Sequence, residues 1–314
     1  MEIHLRAWRF MNLDLEISEV KLISMLGISQ ALVNEFTLVA QYAIAANCRA
    51  NHNGSAPITS TCGVEEELPI YCDVGHCPDL EDADTVILSR FEHIKPGDTH
   101  GYMAVDHTHK TIALAFRGSV SIENWLTDFH TLHTDVTGIK GCVGCKAHAG
   151  FWDATRAVSG CVFPRVRVAA QQYPWNRIVF TGHSLGGALA TVAAALFRQE
   201  AEVDLYTFGA PSVGNYEFAK FVSEQTAGDN YRITHCRDIV SSGPTRLKWQ
   251  WPLAREWSQL TPEYWITSGN GLPVTTTDIQ RIDGINSTDG NLGGEGTWND
   301  HYWYMIDTIT RAEL

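Results

Sequence analysis

Arg177-Ile-Val-Phe-Thr-Gly-His-Ser-Leu-Gly-Gly187 is the stretch of sequence that decides the fold, and the alanine-rich run Ala188–Leu196 follows it directly. The apolar residues at its start are typical of a strand buried on both faces, and the alanine-rich run is typical of a helix. Gly-x-Ser-x-Gly between a strand and a helix is the pattern of a nucleophile elbow, in which Gly182 and Gly186 let the chain approach closely where a Cβ would clash. We therefore interpret Ser184 as an exposed nucleophile at a helix start, and not as a serine that only caps a turn.

Further strand and helix patterns lie on both sides of this motif. Three more apolar runs predict buried strands at Thr111–Arg117, Val203–Phe208 and Tyr231–His235. Helical spacing predicts helices at Leu26–Cys48, Phe151–Gln172, Gly187–Gln199 and Asn215–Thr226, whereas Asn51–Asp82 is interpreted as a surface loop. Strands that alternate with helices predict a mostly parallel central sheet with helices on both faces, the α/β-hydrolase fold. Residues 26–314 are expected to form a single domain, after an N-terminal extension of residues 1–25 that serves as a signal or pro-segment.

A nucleophilic serine needs a base, and the base needs a carboxylate that orients it. In this fold the chain order is serine, then an acid, then histidine. Asp238 follows the strand that ends at His235, and His301 comes later in the chain. His183 in the elbow and His235 inside a strand are weaker candidates for the base. The sequence thus predicts Ser184, Asp238 and His301 as a catalytic triad.

The remaining polar candidates concern the oxyanion and metal ions. The N–H of Leu185 is expected to be one oxyanion donor, and Ser119, which follows a buried strand, is expected to be the other. Two histidine pairs could contribute metal ligands, but neither has a third ligand at suitable spacing: His107 with His109, and His130 with His133. We therefore expect no metal and no cofactor.

Charge and cysteine content limit the partners and the compartment. The chain has 314 residues, a formal net charge of −13 and no apolar stretch near the roughly 20 residues that span a bilayer. Such an acidic chain is not expected to bind nucleic acid, or an anionic membrane through a basic patch. The short spacings of its eight cysteines predict the disulfides Cys142–Cys145 and Cys72–Cys77, with Cys48–Cys62 as a third, and leave Cys161 and Cys236 as thiols. Disulfides and two sequons, at Asn53 and Asn286, indicate secretion, although no clear signal peptide is visible.

Several ordered sequence blocks, among them the elbow and the predicted triad residues, resemble those of the class 3 fungal lipases, a family that includes triacylglycerol lipases and type A feruloyl esterases. The resemblance covers roughly residues 40–310. Besides the elbow, its blocks include Phe-Arg-Gly-Ser119, Tyr206-Thr-Phe-Gly-Ala-Pro211, Tyr231-Arg-Ile-Thr-His-Cys-Arg-Asp238 and His301-Tyr-Trp-Tyr304. It implies Ser184, Asp238 and His301 as the triad, with Ser119 and Leu185 as oxyanion residues.

The family resemblance also implies a lid. Ser121–Asp128 resembles the short amphipathic lid helix of the family's lipases, with Asp128 at the position of its acidic residue. Its apolar stripe contains Ile122, Trp125 and Leu126, together with Phe129. The sequence departs from the family in a tryptophan-rich insertion at Leu247–Leu260 and in Gly160 and Pro164, which predict a kinked or split helix.

These features are compatible with three functions. The apolar lid favours a secreted, monomeric triacylglycerol lipase that binds its lipid ester at a lipid–water interface. The alternatives are a feruloyl or other soluble-ester esterase of the same family, and a catalytically inactive binding protein.

Overall fold

The computed structural model of the chain describes residues 27–51, 61–72, 75–119, 132–243 and 257–308, without the side chains of residues 49 and 61–66. The helices are α1 (Gln30–Ala45), α2 (Pro78–Asp82), α3 (Ala149–Gln172), α4 (Leu185–Phe197), α5 (Tyr216–Glu224) and α6 (Ile239–Ser242). The strands before the elbow are β1 (Thr61–Pro69), β2 (Thr85–Ile94), β3 (Thr99–Asp106), β4 (Thr111–Phe116), β5 (His133–Asp135) and β6 (Lys146–His148). Those that follow are β7 (Arg177–His183), β8 (Asp204–Phe208), β9 (Asn230–His235), β10 (Glu263–Ile266), β11 (Ile279–Ile282), β12 (Trp303–Tyr304) and β13 (Ile306–Asp307).

The main sheet has the order β1-β2-β3-β4-β7-β8-β9-β10-β11. Within this sheet the neighbours in the run β4-β7-β8-β9-β10 pair in parallel, whereas antiparallel pairs lie at both ends of the sheet. Every residue of β4 is buried, as expected for a strand covered on both faces. The predicted α/β-hydrolase fold is confirmed, and its parallel centre brings the carboxyl ends of β4, β7 and β9 to one edge.

Apolar side chains cover both faces of the sheet. On one face α3 and α4 pack against it through residues such as Val158, Val162 and Leu189. On the other face α1 contributes Phe36 and Val39 to a second cluster. Burial of these two layers holds the parallel strands, and therefore their carboxyl ends, in fixed positions. Among the described helices, none is both long enough and apolar enough to cross a membrane.

Two predictions about local structure need correction. Helix α3 runs without a break through Pro164, so the split that was one form of the prediction is absent. Pro164 has no N–H to donate to the carbonyl oxygen of Gly160, four residues earlier, but Gly160 is exposed and water can donate to that oxygen. Buried residues on both sides of the proline hold the helix on the sheet. The interpretation of Asn51–Asp82 as a loop was also wrong, because it contains β1 and α2.

The cysteines agree with part of the prediction. Disulfides join Cys72 with Cys77 and Cys142 with Cys145, as expected. Cys161, expected to be a thiol, forms a disulfide instead. Cys48 is a buried thiol 3.9 Å from the carbonyl oxygen of Ile44, so the predicted Cys48–Cys62 pair was wrong. Burial raises the pKa of the half-buried Cys236 thiol to about 11.

Candidate active site

Ser184 occupies a sharp turn between β7 and α4. Its φ of +58° and ψ of −126° are unusual for a residue with a Cβ. Gly182 and Gly186 make the turn feasible, because a Cβ on Gly186 would lie 2.1 Å from the carbonyl oxygen of Phe116 and one on Gly182 would lie 2.3 Å from the Gly186 backbone. The close approach that the sequence predicted for these two glycines is therefore present. It fixes the serine at the first turn of α4.

Asp238 lies just past β9 and is fully buried as the N-cap of α6. Its Oδ1 accepts hydrogen bonds from the N–H groups of Val240 (2.7 Å) and Ser241 (3.4 Å). Its Oδ2 accepts from His301 Nδ1 (2.8 Å) and from the hydroxyl of Tyr304. Burial alone would raise the pKa of Asp238, but the His301 ring and these donors outweigh burial and hold that pKa below its usual value. The carboxylate therefore stays ionised where it faces His301.

The main chain of His301 is held in place by several contacts. It ends the short 3-10 helix Asn299–His301, and its carbonyl oxygen accepts a hydrogen bond from His183 Nε2 at 2.9 Å. Burial lowers the pKa of His183 to about 3, so this ring is neutral and serves as a donor. Both ring nitrogens of His235 lie near main-chain oxygens, those of Asp300 (2.9 Å) and Ser268 (2.8 Å). Neither competing histidine is thus available as a base for Ser184.

Two buried polar atoms are left at the centre of the site. Ser184 Oγ and His301 Nε2 have no hydrogen-bond partner among the described residues. Buried polar atoms without a partner are costly, and such atoms are concentrated at functional sites. Because Asp238 accepts the proton at His301 Nδ1, the neutral ring presents an acceptor at Nε2. The site therefore combines an unbonded hydroxyl with an unbonded imidazole acceptor.

Ser119 and Leu185 line the same cavity, which has a volume of about 450 Å³. Leu185 begins α4, so its N–H belongs to the first helical turn, where the amides are not used within the helix. Gly118 donates its N–H to Asn47 Oδ1 at 3.2 Å, and Asn47 Nδ2 donates in turn to the carbonyl oxygen of Thr308. These contacts position the segment that carries Ser119. The structure thus places both predicted oxyanion residues at one cavity.

The predicted lid residues Ile122, Trp125, Leu126 and Asp128 lie outside the residues that the structure describes, as does most of the tryptophan-rich insertion. Trp257, at the end of that insertion, is described and buried. The centroid of its ring lies 4.2 Å from that of the His133 ring and 5.7 Å from that of the His148 ring. Trp257 therefore packs within the core.

Tyr304 and Asn47 are positioning residues that the sequence analysis missed. The Tyr304 hydroxyl reaches the carboxylate that orients His301, and Asn47 holds the Ser119 segment. Tyr304 belongs to the family block His301-Tyr-Trp-Tyr304, and this block was the only sequence feature that could have indicated a role for it at the site. Nothing in the local sequence marks Asn47, because its contacts with Gly118 and Thr308 are distant in the chain.

Comparison with known proteins gives consistent similarities. The profile of the family described as Lipase (class 3) matches residues 113–248. The chain is 36% identical over 285 residues to secreted mono- and diacylglycerol lipase A of Penicillium cyclopium, covering 89% of this chain and 86% of that protein. It is 37% identical over 233 residues to secreted mono- and diacylglycerol lipase 1 of Fusarium solani, covering 73% of this chain and 66% of that protein. The crystal structure of a mono- and diacylglycerol lipase from Aspergillus oryzae superposes with a TM-score of 0.77 at 35% identity, covering 90% of this chain and 98% of the other.

Proposed function

Because the chain belongs to the class 3 lipase family, we propose that it hydrolyses ester bonds of acylglycerols with Ser184 as nucleophile, His301 as general base and Asp238 as the residue that orients the base. The observation that carries this proposal is the arrangement at His301. Its Nδ1 is hydrogen-bonded to the buried, ionised carboxylate of Asp238. Its Nε2 and Ser184 Oγ both lack a hydrogen-bond partner among the described residues. An inactive binding protein would not need to keep two such polar atoms unpaired.

The reaction divides into two displacements. In the first, Ser184 Oγ attacks the ester carbonyl while His301 Nε2 takes its proton. The negative charge on the carbonyl oxygen is stabilised by the N–H of Leu185 and by Ser119, and the leaving glyceryl oxygen then receives the proton from Nε2. In the second, His301 Nε2 takes a proton from a water whose oxygen attacks the acyl carbon, and it gives that proton to Ser184 Oγ as the acyl–Oγ bond breaks and the fatty acid leaves. Asp238 stays ionised and stabilises the imidazolium at each step.

Partial glycerides are the substrate class that we propose. The Penicillium, Fusarium and Aspergillus relatives are named mono- and diacylglycerol lipases. A triacylglycerol lipase is the second candidate, favoured by the apolar side chains of the sequence-predicted lid around Trp125. The soluble-ester alternative is not favoured, since these relatives are lipases. Two relatives are named as secreted, and together with the disulfides this supports an extracellular enzyme. We further propose that it acts as a monomer at a lipid–water interface.

The substrate is tested by hydrolysis of matched emulsions of monoolein, diolein and triolein, with Ser184→Ala as the blank. Faster turnover of the partial glycerides is expected, and equal or faster turnover of triolein would overturn that preference. A soluble short-chain ester, measured below and above its solubility limit, tests the role of the interface. Activity should rise above the limit, and Trp125→Ala should blunt the rise. Hyperbolic kinetics through the limit with good turnover of methyl ferulate would instead establish the esterase.

A further inference from the structure

The hairpin between β2 and β3 carries three side chains of metal-binding type. His93 lies near the end of β2, His100 lies near the start of β3, and Asp98 lies in the turn between them. The pair Ile94 and Thr99 closes the hairpin after an irregularity in the register between Phe91 and Ile94. The two imidazole rings lie with their centroids 4.5 Å apart, so the sheet itself brings them together.

The distances between the ligand atoms suit one small cation. His93 Nδ1 lies 2.9 Å from Asp98 Oδ1, and His100 Nε2 lies 3.5 Å from Asp98 Oδ2. The ligand atoms of all three residues lie within 4.8 Å of one another. In a tetrahedral zinc site with bonds of about 2.0–2.1 Å, neighbouring ligand atoms are roughly 3.3 Å apart. Small side-chain rotations would therefore bring the three atoms around one ion.

We propose that His93, Asp98 and His100 bind Zn²⁺ or a similar divalent transition-metal ion, with water completing the coordination. Two imidazoles and one carboxylate suit zinc, copper or nickel, whereas calcium and magnesium prefer oxygen ligands in larger number. The His93 and Asp98 side chains are 42% and 53% exposed, which gives an ion access from solvent. The His100 side chain is only 10% exposed and anchors the site in the sheet.

Two nearby positively charged side chains, Lys95 and Arg117, are expected to weaken binding of a metal cation at this site. Lys95 Nζ lies 3.4 Å from Asp98 Oδ1 and competes for the same carboxylate, but this side chain is 74% exposed and can turn to solvent. Arg117 is close enough to interact electrostatically with His100. These charges predict weaker binding than in a dedicated structural zinc site. They also predict that Lys95→Ala tightens binding several-fold.

The proposed metal site adjoins the proposed catalytic centre. Asp98 and His100 line the same cavity as Ser119 and Leu185. The carbonyl oxygen of His100 also accepts the N–H of Arg117 at 3.0 Å, two residues before Ser119. An ion held by His100 would therefore lie beside the cavity and restrain the segment that carries Ser119. We expect Zn²⁺ to lower ester hydrolysis through this site.

Isothermal titration of chelator-treated protein without a histidine tag tests the proposal, with ZnCl₂ at pH 7.5. Saturable binding of one ion is expected, with no comparable binding of Ca²⁺ or Mg²⁺. The variants His93→Asn/His100→Asn and Asp98→Asn should lose it, with folding checked by circular dichroism. The control His107→Asn alters a histidine in the β3–β4 turn and should bind as the wild type does. Absence of saturable binding, or unchanged binding in the double variant and Asp98→Asn, would overturn the proposal.

A second pair of measurements separates this site from the proposed catalysis. Ser184→Ala should bind Zn²⁺ as the wild type does, because the ligands do not include the nucleophile. Zn²⁺ should inhibit hydrolysis by the wild type and by His107→Asn, and should have little effect on the double variant. If Zn²⁺ binds but inhibits the double variant equally, the coupling between the ion and the cavity is refuted.

Discussion

Replacing Asp238 by asparagine should prevent His301 from acting as the base while leaving the fold intact. The asparagine Oδ1 can still accept the N–H groups of Val240 and Ser241, and asparagine is as good an N-cap as aspartate. Its NH₂ group, however, would take the place of Oδ2, which now lies 2.8 Å from His301 Nδ1. A donor at that position favours the tautomer in which Nδ1 is the acceptor and the proton is on Nε2. The ring could then no longer accept the proton of Ser184.

The expected loss follows from the role of the tautomer. Presenting the wrong tautomer in a serine triad lowers kcat by about 10⁴, which is about 5.5 kcal/mol of transition-state stabilisation. The Michaelis constant should change little, since Asp238 is buried behind His301 and does not line the cavity. The loss should thus be confined to kcat.

Steady-state hydrolysis of a soluble p-nitrophenyl ester measures the effect, and the ¹⁵N shifts of the His301 ring report the tautomer. Asp300→Asn is the matched control, because Asp300 adjoins His301 but its carboxylate accepts from the N–H of Arg237. The control should retain kcat within a few-fold. If well-folded Asp238→Asn keeps kcat within ten-fold of the wild type, the assignment of Asp238 is refuted.

Three further predictions follow from the same geometry. Ser184→Ala should lower kcat by roughly 10⁶ with an unchanged circular dichroism spectrum, and substantial residual turnover would exclude it as the nucleophile. Gly186→Ala should lower the free energy of unfolding in urea by at least about 2 kcal/mol, because the added Cβ would overlap the main chain of β4. Gly160 is exposed and has open space around it, so the control Gly160→Ala should be neutral or stabilising. Tyr304→Phe should cost about 1.5–3 kcal/mol at pH 7 by removing a donor to the ionised Asp238. The pKa of Asp238 is lower in the folded protein than in the unfolded chain, so the stabilisation by its carboxylate is present above the unfolded pKa and is lost as pH falls through the folded pKa. The unfolding free energies of the wild type and Tyr304→Phe should therefore converge in acid. A difference between them that does not change with pH would contradict this.

The catalytic elbow and the central strands were predictable because their determinants are local. Glycines on either side of Ser184, between an apolar run and a helical run, satisfy a steric requirement that is visible in a few residues. Strands buried on both faces give continuous apolar runs, so the strands from β4 to β9 in the main sheet were predicted to within two residues at either end. The chain order of Asp238 and His301 then followed from the fold, while their roles stay a proposal.

The features that were missed depend on contacts between distant segments. Strands β1, β10 and β11 lie at or near the sheet edges and have weak apolar patterns, so pairing with neighbours decides their conformation. Pro164 predicted a broken helix because local propensity ignores the packing of α3 on the sheet. The cluster of His93, Asp98 and His100 escaped notice because the hairpin register, and not a recognised ligand motif, brings the rings together.

The left-handed backbone at Ser184 has a consequence for engineering the thermal stability of this protein. A side chain in this conformation costs on the order of 1 kcal/mol or more, and glycine would relieve that cost. Heat-resistance selection without an activity screen would therefore favour Ser184→Gly, a variant that survives heating better and cannot turn over an ester. Libraries built for thermostability should keep codon 184 fixed.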